Sequence, residues 1–170
     1  MNNILRYIDL CRLKAGPADM PASAMLLKAT LLAYLFLGMV ISHVDNDWHV
    51  SIISSLADTL FMIVAIGLVL HFKGLSARYQ QTLIALAGAG IILDLIGLPL
   101  IFWLNQIDEL EQGSSVALLL MIALMFWSLM VTAHIFRQAL DIKSGSAAMI
   151  TILYTAMSLV VLGLTLSGVA

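Results

Sequence analysis

The chain is poor in charge. Of its 170 residues, 11% are Asp, Glu, Lys or Arg and 62% are apolar, with a mean hydropathy of +1.04. Soluble domains carry about 25% charged and about 45–50% apolar residues, so a soluble globular protein is excluded. A disordered tail is excluded as well, because disorder needs abundant charge and little hydrophobicity. Cysteine occurs once, as Cys11, which rules out an internal disulfide and a cysteine-built metal site. Leu10 precedes it where a lipoprotein signal places a small residue, and no long apolar run leads up to it. Cys11 therefore reads as a buried or interfacial residue. The first 23 residues are interrupted by Arg6, Asp9, Arg12 and Lys14, which does not match a secretory signal peptide.

Reaction motifs are missing too. Thr165 stands two places before Ser167-Gly168 where an intramembrane serine protease has glycine, and no His-Glu-x-x-His or glycine-rich phosphate loop occurs. His43 and His49 flank an acidic stretch with Asp45 and Asp47, but their spacing matches no dedicated metal site. The eight basic residues are spread along the chain and form no groove for nucleic acid. The expectation is a protein that is not an enzyme and holds neither cofactor nor metal.

What the chain has is length in apolar runs. Ala24–Val44, Val50–Phe72, Thr82–Leu104, Val116–Phe136 and Ala147–Val169 are each long enough to cross a bilayer as a helix. The fold class read from them is all-α: a polytopic membrane bundle of five transmembrane helices forming one domain over 24–169. Residues 1–23 form an N-terminal arm. Within it, Ile4, Tyr7, Ile8 and Cys11 fall on one side of a short amphipathic helix, with Arg6, Asp9 and Arg12 on the other. Pro17 and Pro21 end that helix. Such an arm either lies in the interface or docks on the ends of the spans.

Basic residues cluster in alternate connections. Arg6, Arg12 and Lys14 lie in the arm, Lys73 and Arg78 in the second loop, and Arg137 and Lys143 in the fourth. The first and third loops hold Asp45, Asp47, Asp108, Glu109 and Glu111 and no lysine or arginine. The positive-inside rule then places the N-terminus in the cytoplasm and the C-terminus outside. Lys28, just inside the first span, can snorkel to the headgroups. Trp48 and Trp103 sit at the acidic boundary, where amphipathic rings favour the headgroup level, whereas Trp127 reads as a packing residue.

Several spans carry stripes of small and hydroxyl residues: Thr30, Tyr34, Gly38 and Ser42 in the first; Ala87, Gly90, Asp94 and Gly97 in the third; Thr151, Thr155, Ser158 and Thr165 in the fifth. These read as packing seams, since lipid supplies no apolar drive between helices. The methionines, Met121, Met125 and Met130 among them, read as adaptable filler.

Two carboxylates stand out. Asp58 lies about 12 Å below the acidic boundary of the second span, and Asp94 about 15 Å below that of the third. Asp58 shares its face with Ser51, Ser54, Ser55 and Met62. Intramembrane acids are costly and point either to a proton or cation path or to a hydrogen-bonded helix seam. With the second and third spans read as antiparallel neighbours, the two acids reach similar depth and, if the spans turn those faces together, face each other. At least one is then expected to keep its proton and donate to the other carboxylate or to Ser54 or Ser55. Asp58, Asp94, Ser54 and Ser55 are the candidate site residues.

The layout resembles the Yip (Ypt-interacting protein) family, which has a cytoplasmic arm and five closely spaced spans. The local likeness lies in Phe126-Trp127-Ser128-Leu129, in His134-Ile135-Phe136-Arg137-Gln138-Ala139-Leu140 after it, and in Leu98-Pro99-Leu100. Eukaryotic members act in membrane traffic with small GTPases, and the short arm here is closer to the bacterial branch. The resemblance implies a non-enzymatic protein of the bacterial inner membrane that organises or assists other membrane components. Its partners would be the lipid bilayer and other membrane proteins or further copies of itself. The alternative is a small transporter or proton- or cation-coupled channel using Asp58 and Asp94.

Overall fold

A computed structural model describes the backbone of residues 3–106 and 112–169, with side chains within 4–106 and 115–168. Asp108, Glu109 and Glu111 of the third loop lie outside the described residues. All described regular structure is helical: α1 (Asn3–Cys11), α2 (Ala24–Ser42), α3 (Trp48–Phe72), α4 (Tyr79–Gln106), α5 (Gln112–Leu140) and α6 (Ser144–Val169), with single 3-10 turns at Pro17–Asp19 and Ser76–Arg78. Helices α2 to α6 have 19 to 29 residues. That is about 28 Å or more of length, enough to cross a hydrocarbon core about 30 Å thick with at most slight bilayer adjustment. The chain is an integral membrane protein built as an all-α bundle. Its large exposed side chains, such as Phe36, Leu60, Leu119 and Leu164, belong on the lipid-facing surface of such a bundle.

Local chemistry sets the helix ends. Ser23 accepts a hydrogen bond from the Leu26 amide and caps α2. At the other end of α3, Gly74 takes φ +69, a conformation that a residue with a Cβ rarely adopts, and Leu75 N–H returns to Leu70 O. The Arg78 guanidinium donates to the Gln138 and Ala139 carbonyls, satisfying acceptors at the end of α5.

The five spanning helices close into a ring in the order α2, α4, α5, α6, α3 and back to α2. This corrects one expectation from the sequence. The second and third spans, α3 and α4, are antiparallel and joined by a short turn, but they touch only lightly, because α2 packs against both. Near the end that carries Lys73, Arg78, Arg137 and Lys143 (the basic end), the interior is filled by Met62, Ile66 and Leu70 of α3, Leu83 and Leu86 of α4, and Val131, Ile135 and Phe136 of α5. Toward the opposite, acidic end the same interior loosens into polar space.

The arm docks rather than lying free in the interface. Cys11 Sγ is 3.8 Å from the Ala89 carbonyl, and Trp127 Nε1 donates to the Cys11 carbonyl at 2.9 Å. His134 Nε2 lies 3.1 Å from Ala15 O, and Gln81 Nε2 donates to Met20 O at 2.9 Å. Gln81 and Ala89 are eight residues apart on α4, so the arm reaches about 12 Å along the bundle from the basic end. It covers α4, where Thr82 to Ala89 are buried without a break. Trp127, expected as a packing residue, is also a donor that fixes the arm, with 52% of its surface still exposed.

Candidate functional site

Asp58 is half-buried and hydrogen-bonds side chains of two other helices. Its Oδ2 accepts from the Tyr34 hydroxyl at 2.7 Å and its Oδ1 from the Ser158 hydroxyl at 2.9 Å. One carboxyl on α3 therefore ties α2 and α6. The expected partners were the other carboxylate, Ser54 or Ser55, and that pairing is corrected by the geometry. Ser54 Oγ donates to the Ser51 carbonyl and lies 3.1 Å from Ser42 Oγ, while the Ser55 carbonyl accepts from Thr59 Oγ1. The reason is the ring order: α2, not α4, faces Asp58. Tyr34 and Ser158 lay on the stripes of the first and fifth spans, but a stripe does not say which neighbour it meets.

The two acids nevertheless share one space. A cavity of about 330 Å³ is lined by Asp58 and Thr59 of α3, Asp94 of α4, Tyr34, Gly38 and Ser42 of α2, and Ser54 and Ser55 again of α3, with Ile41 and Leu162. All four sequence-derived candidates, Asp58, Asp94, Ser54 and Ser55, line it. No basic side chain does. Asp94 also borders two smaller cavities, of about 190 Å³ toward Gly97 and Ser128 and about 130 Å³ toward Thr132 and Tyr154. It stands where the three meet.

Glycines on α2 and α4 create this room. Any Cβ on Gly90 would sit 2.8 Å from the Tyr34 ring, so Gly90 lets that ring lie against α4 with its hydroxyl on Asp58. A Cβ on Gly38 would meet Ser55 Oγ at 3.3 Å. From the cavity, hydroxyls lead to the acidic end. Ser42 pairs with Ser54, Ser54 bonds the Ser51 carbonyl, and Ser51 Oγ bonds the Asp47 carbonyl at 2.9 Å. There Asn105 Nδ2 donates to Asp45 at 3.0 Å and His43 stacks on Trp48 at 3.8 Å. Toward the basic end the cavity meets the apolar packing of Met62, Ile66 and Leu70.

This arrangement offers carboxylate and hydroxyl oxygens to a small cation or a proton, with a polar approach from one end. Among the described residues no group of three or more His, Cys, Asp or Glu side chains gathers as a metal site. Comparison with protein-family models, characterised proteins and solved structures finds no match for the chain.

Proposed function

We propose that the protein is a small proton- or cation-coupled transporter or channel whose working site is the cavity between Asp58 and Asp94. The observation that carries this reading is that two carboxylates at similar depth, without a basic partner, line the same cavity of about 330 Å³. A purely structural acid needs hydrogen-bond partners; Asp58 has two, yet Asp94 faces cavities on three sides. The test is flux. Purified protein in liposomes is expected to dissipate an imposed proton gradient, followed with an entrapped pH dye. Asp58→Asn and Asp94→Asn, which cannot release a proton, are each expected to cut that flux at least about tenfold while folding normally. Wild-type protein that leaves both a proton and a sodium or potassium gradient intact, or Asn variants as active as wild type, would refute the reading.

The second reading is a non-enzymatic organiser of other membrane components. It rests on the Yip resemblance and draws support from an arm held in place by five side-chain-to-backbone contacts, a scaffold on which partners can be arranged. Recovery of a stable partner from native membranes is its test. In either case we propose that the basic end faces the cytoplasm, on the charge asymmetry of the loops, and that the membrane is a bacterial inner membrane, on the Yip resemblance alone.

A further inference from the structure

A second space opens on the lipid-facing side, away from the acids. Between α3 and α6, in the basic half, lies a groove of about 350 Å³ whose walls include Phe61, Val64 and Leu68 of α3 and Ile150, Leu153 and Met157 of α6. Its floor is aromatic. Tyr154 packs against Phe61 and Phe136 with ring centroids 5.4 and 5.6 Å apart. Val64, Leu68, Leu153 and Met157 are all more than half exposed, so the groove is open along its length. On α3 it runs from Phe61 to Val69, about 12 Å. Lys73 stands about 6 Å beyond its end on α3, and Lys143 about 10 Å beyond its end on α6. Arg137, next to the floor residue Phe136, is exposed as well; Asp141 is the one acid among them.

We propose that this groove binds one acyl chain of an anionic phospholipid, whose headgroup phosphate is held by Lys73, Arg137 and Lys143. The occupant follows from length and charge together. A slot about 12 Å long at membrane depth suits a hydrocarbon chain, and three cations against one acid suit a net negative headgroup rather than a zwitterion. A second copy is disfavoured, because a two-fold contact through this face would bring both sets of cations together.

The full-length protein in mild detergent tests this. Added dioleoyl phosphatidylglycerol is expected to raise the thermal midpoint by about 3 °C or more over dioleoyl phosphatidylcholine. Native mass spectrometry should show one phosphatidylglycerol retained. The double variant Lys73→Gln/Lys143→Gln should lose the headgroup preference. Leu153→Trp, which fills the groove from its exposed side and spares the core, should lose the retained lipid. Equal midpoints with the two lipids, or a Leu153→Trp protein that still retains phosphatidylglycerol, would overturn the proposal. So would Leu153→Cys, in a Cys11→Ser background, forming disulfide-linked dimers throughout native membranes.

Discussion

Asp58 uses both carboxylate oxygens, one for Tyr34 and one for Ser158, and so connects three helices through a single side chain. Asparagine at this position keeps an acceptor for the Tyr34 hydroxyl and gains an amide that can donate to the Ser158 oxygen. Asp58→Asn is therefore expected to unfold in mixed micelles within about 0.5 kcal/mol of wild type, while losing proton flux. Asp58→Leu removes both bonds. Interhelical hydrogen bonds in membranes average about 0.6 kcal/mol and reach about 1.7 kcal/mol, so a loss of about 1–3 kcal/mol is expected. Tyr34→Phe should cost one bond's share, and in a double-mutant cycle with Asp58→Leu the losses should not add. The sequence made Asp58 visible because an ionisable residue inside an apolar run stands out. Its partners were not visible, since Tyr34 and Ser158 are 24 and 100 residues away and any of several stripes would have served.

At the scale of the element, α1 carries the sharpest test of how the arm sits. Its two neighbours on α4 and α5 were not legible from an amphipathic pattern, which is the same for a helix on lipid and a helix on protein. The docked position is set by shape. A Cβ on Gly88 would sit 2.2 Å from the Tyr7 ring, and Tyr7 Oη lies 2.9 Å from Thr30 Oγ1. Gly88→Leu is thus expected to dislodge the arm without preventing insertion. Cys11, the single cysteine, reports the outcome. Burial pushes its thiol up to about 11 from an ordinary value of 9.0. The docked arm then binds more protons than the free one between those two values, so docking is favoured below about pH 9 and weakens as pH rises toward about 11. Alkylation of Cys11 at pH 8 should be slow in wild type. It should be at least about tenfold faster in Gly88→Leu and in Trp127→Phe, which removes the donor to the Cys11 carbonyl. Equal rates in all three would show that the arm is not held as described.

For the whole molecule, five spans with basic residues in alternate connections lead us to propose one topology, with the basic end in the cytoplasm. Single cysteines introduced at Asp47, in a Cys11→Ser background, are expected to react with an impermeant reagent in intact cells. Cysteines at Ser76 and Ser144 should react only after permeabilisation. Labelling of the latter two from outside would reverse the orientation. Loop placement at this scale follows from hydropathy and charge alone, because each is a property of a contiguous stretch.

Hydropathy period and length determined that the chain is an all-α membrane bundle, since in lipid each backbone amide must be paired within its own helix and a run of about 20 apolar residues suffices to say so. Residue type likewise marked Asp58 and Asp94, because a carboxylate in hydrocarbon needs a reason to be there. Which helix faces which was decided only in three dimensions. Lipid does not favour one apolar face over another, so the ring order rests on close fits such as Gly90 of α4 against Tyr34 of α2 and Gly38 of α2 against Ser55 of α3. Those fits put α2 between the acid-bearing helices, gave Asp58 to Tyr34 and Ser158, and left Asp94 facing open space.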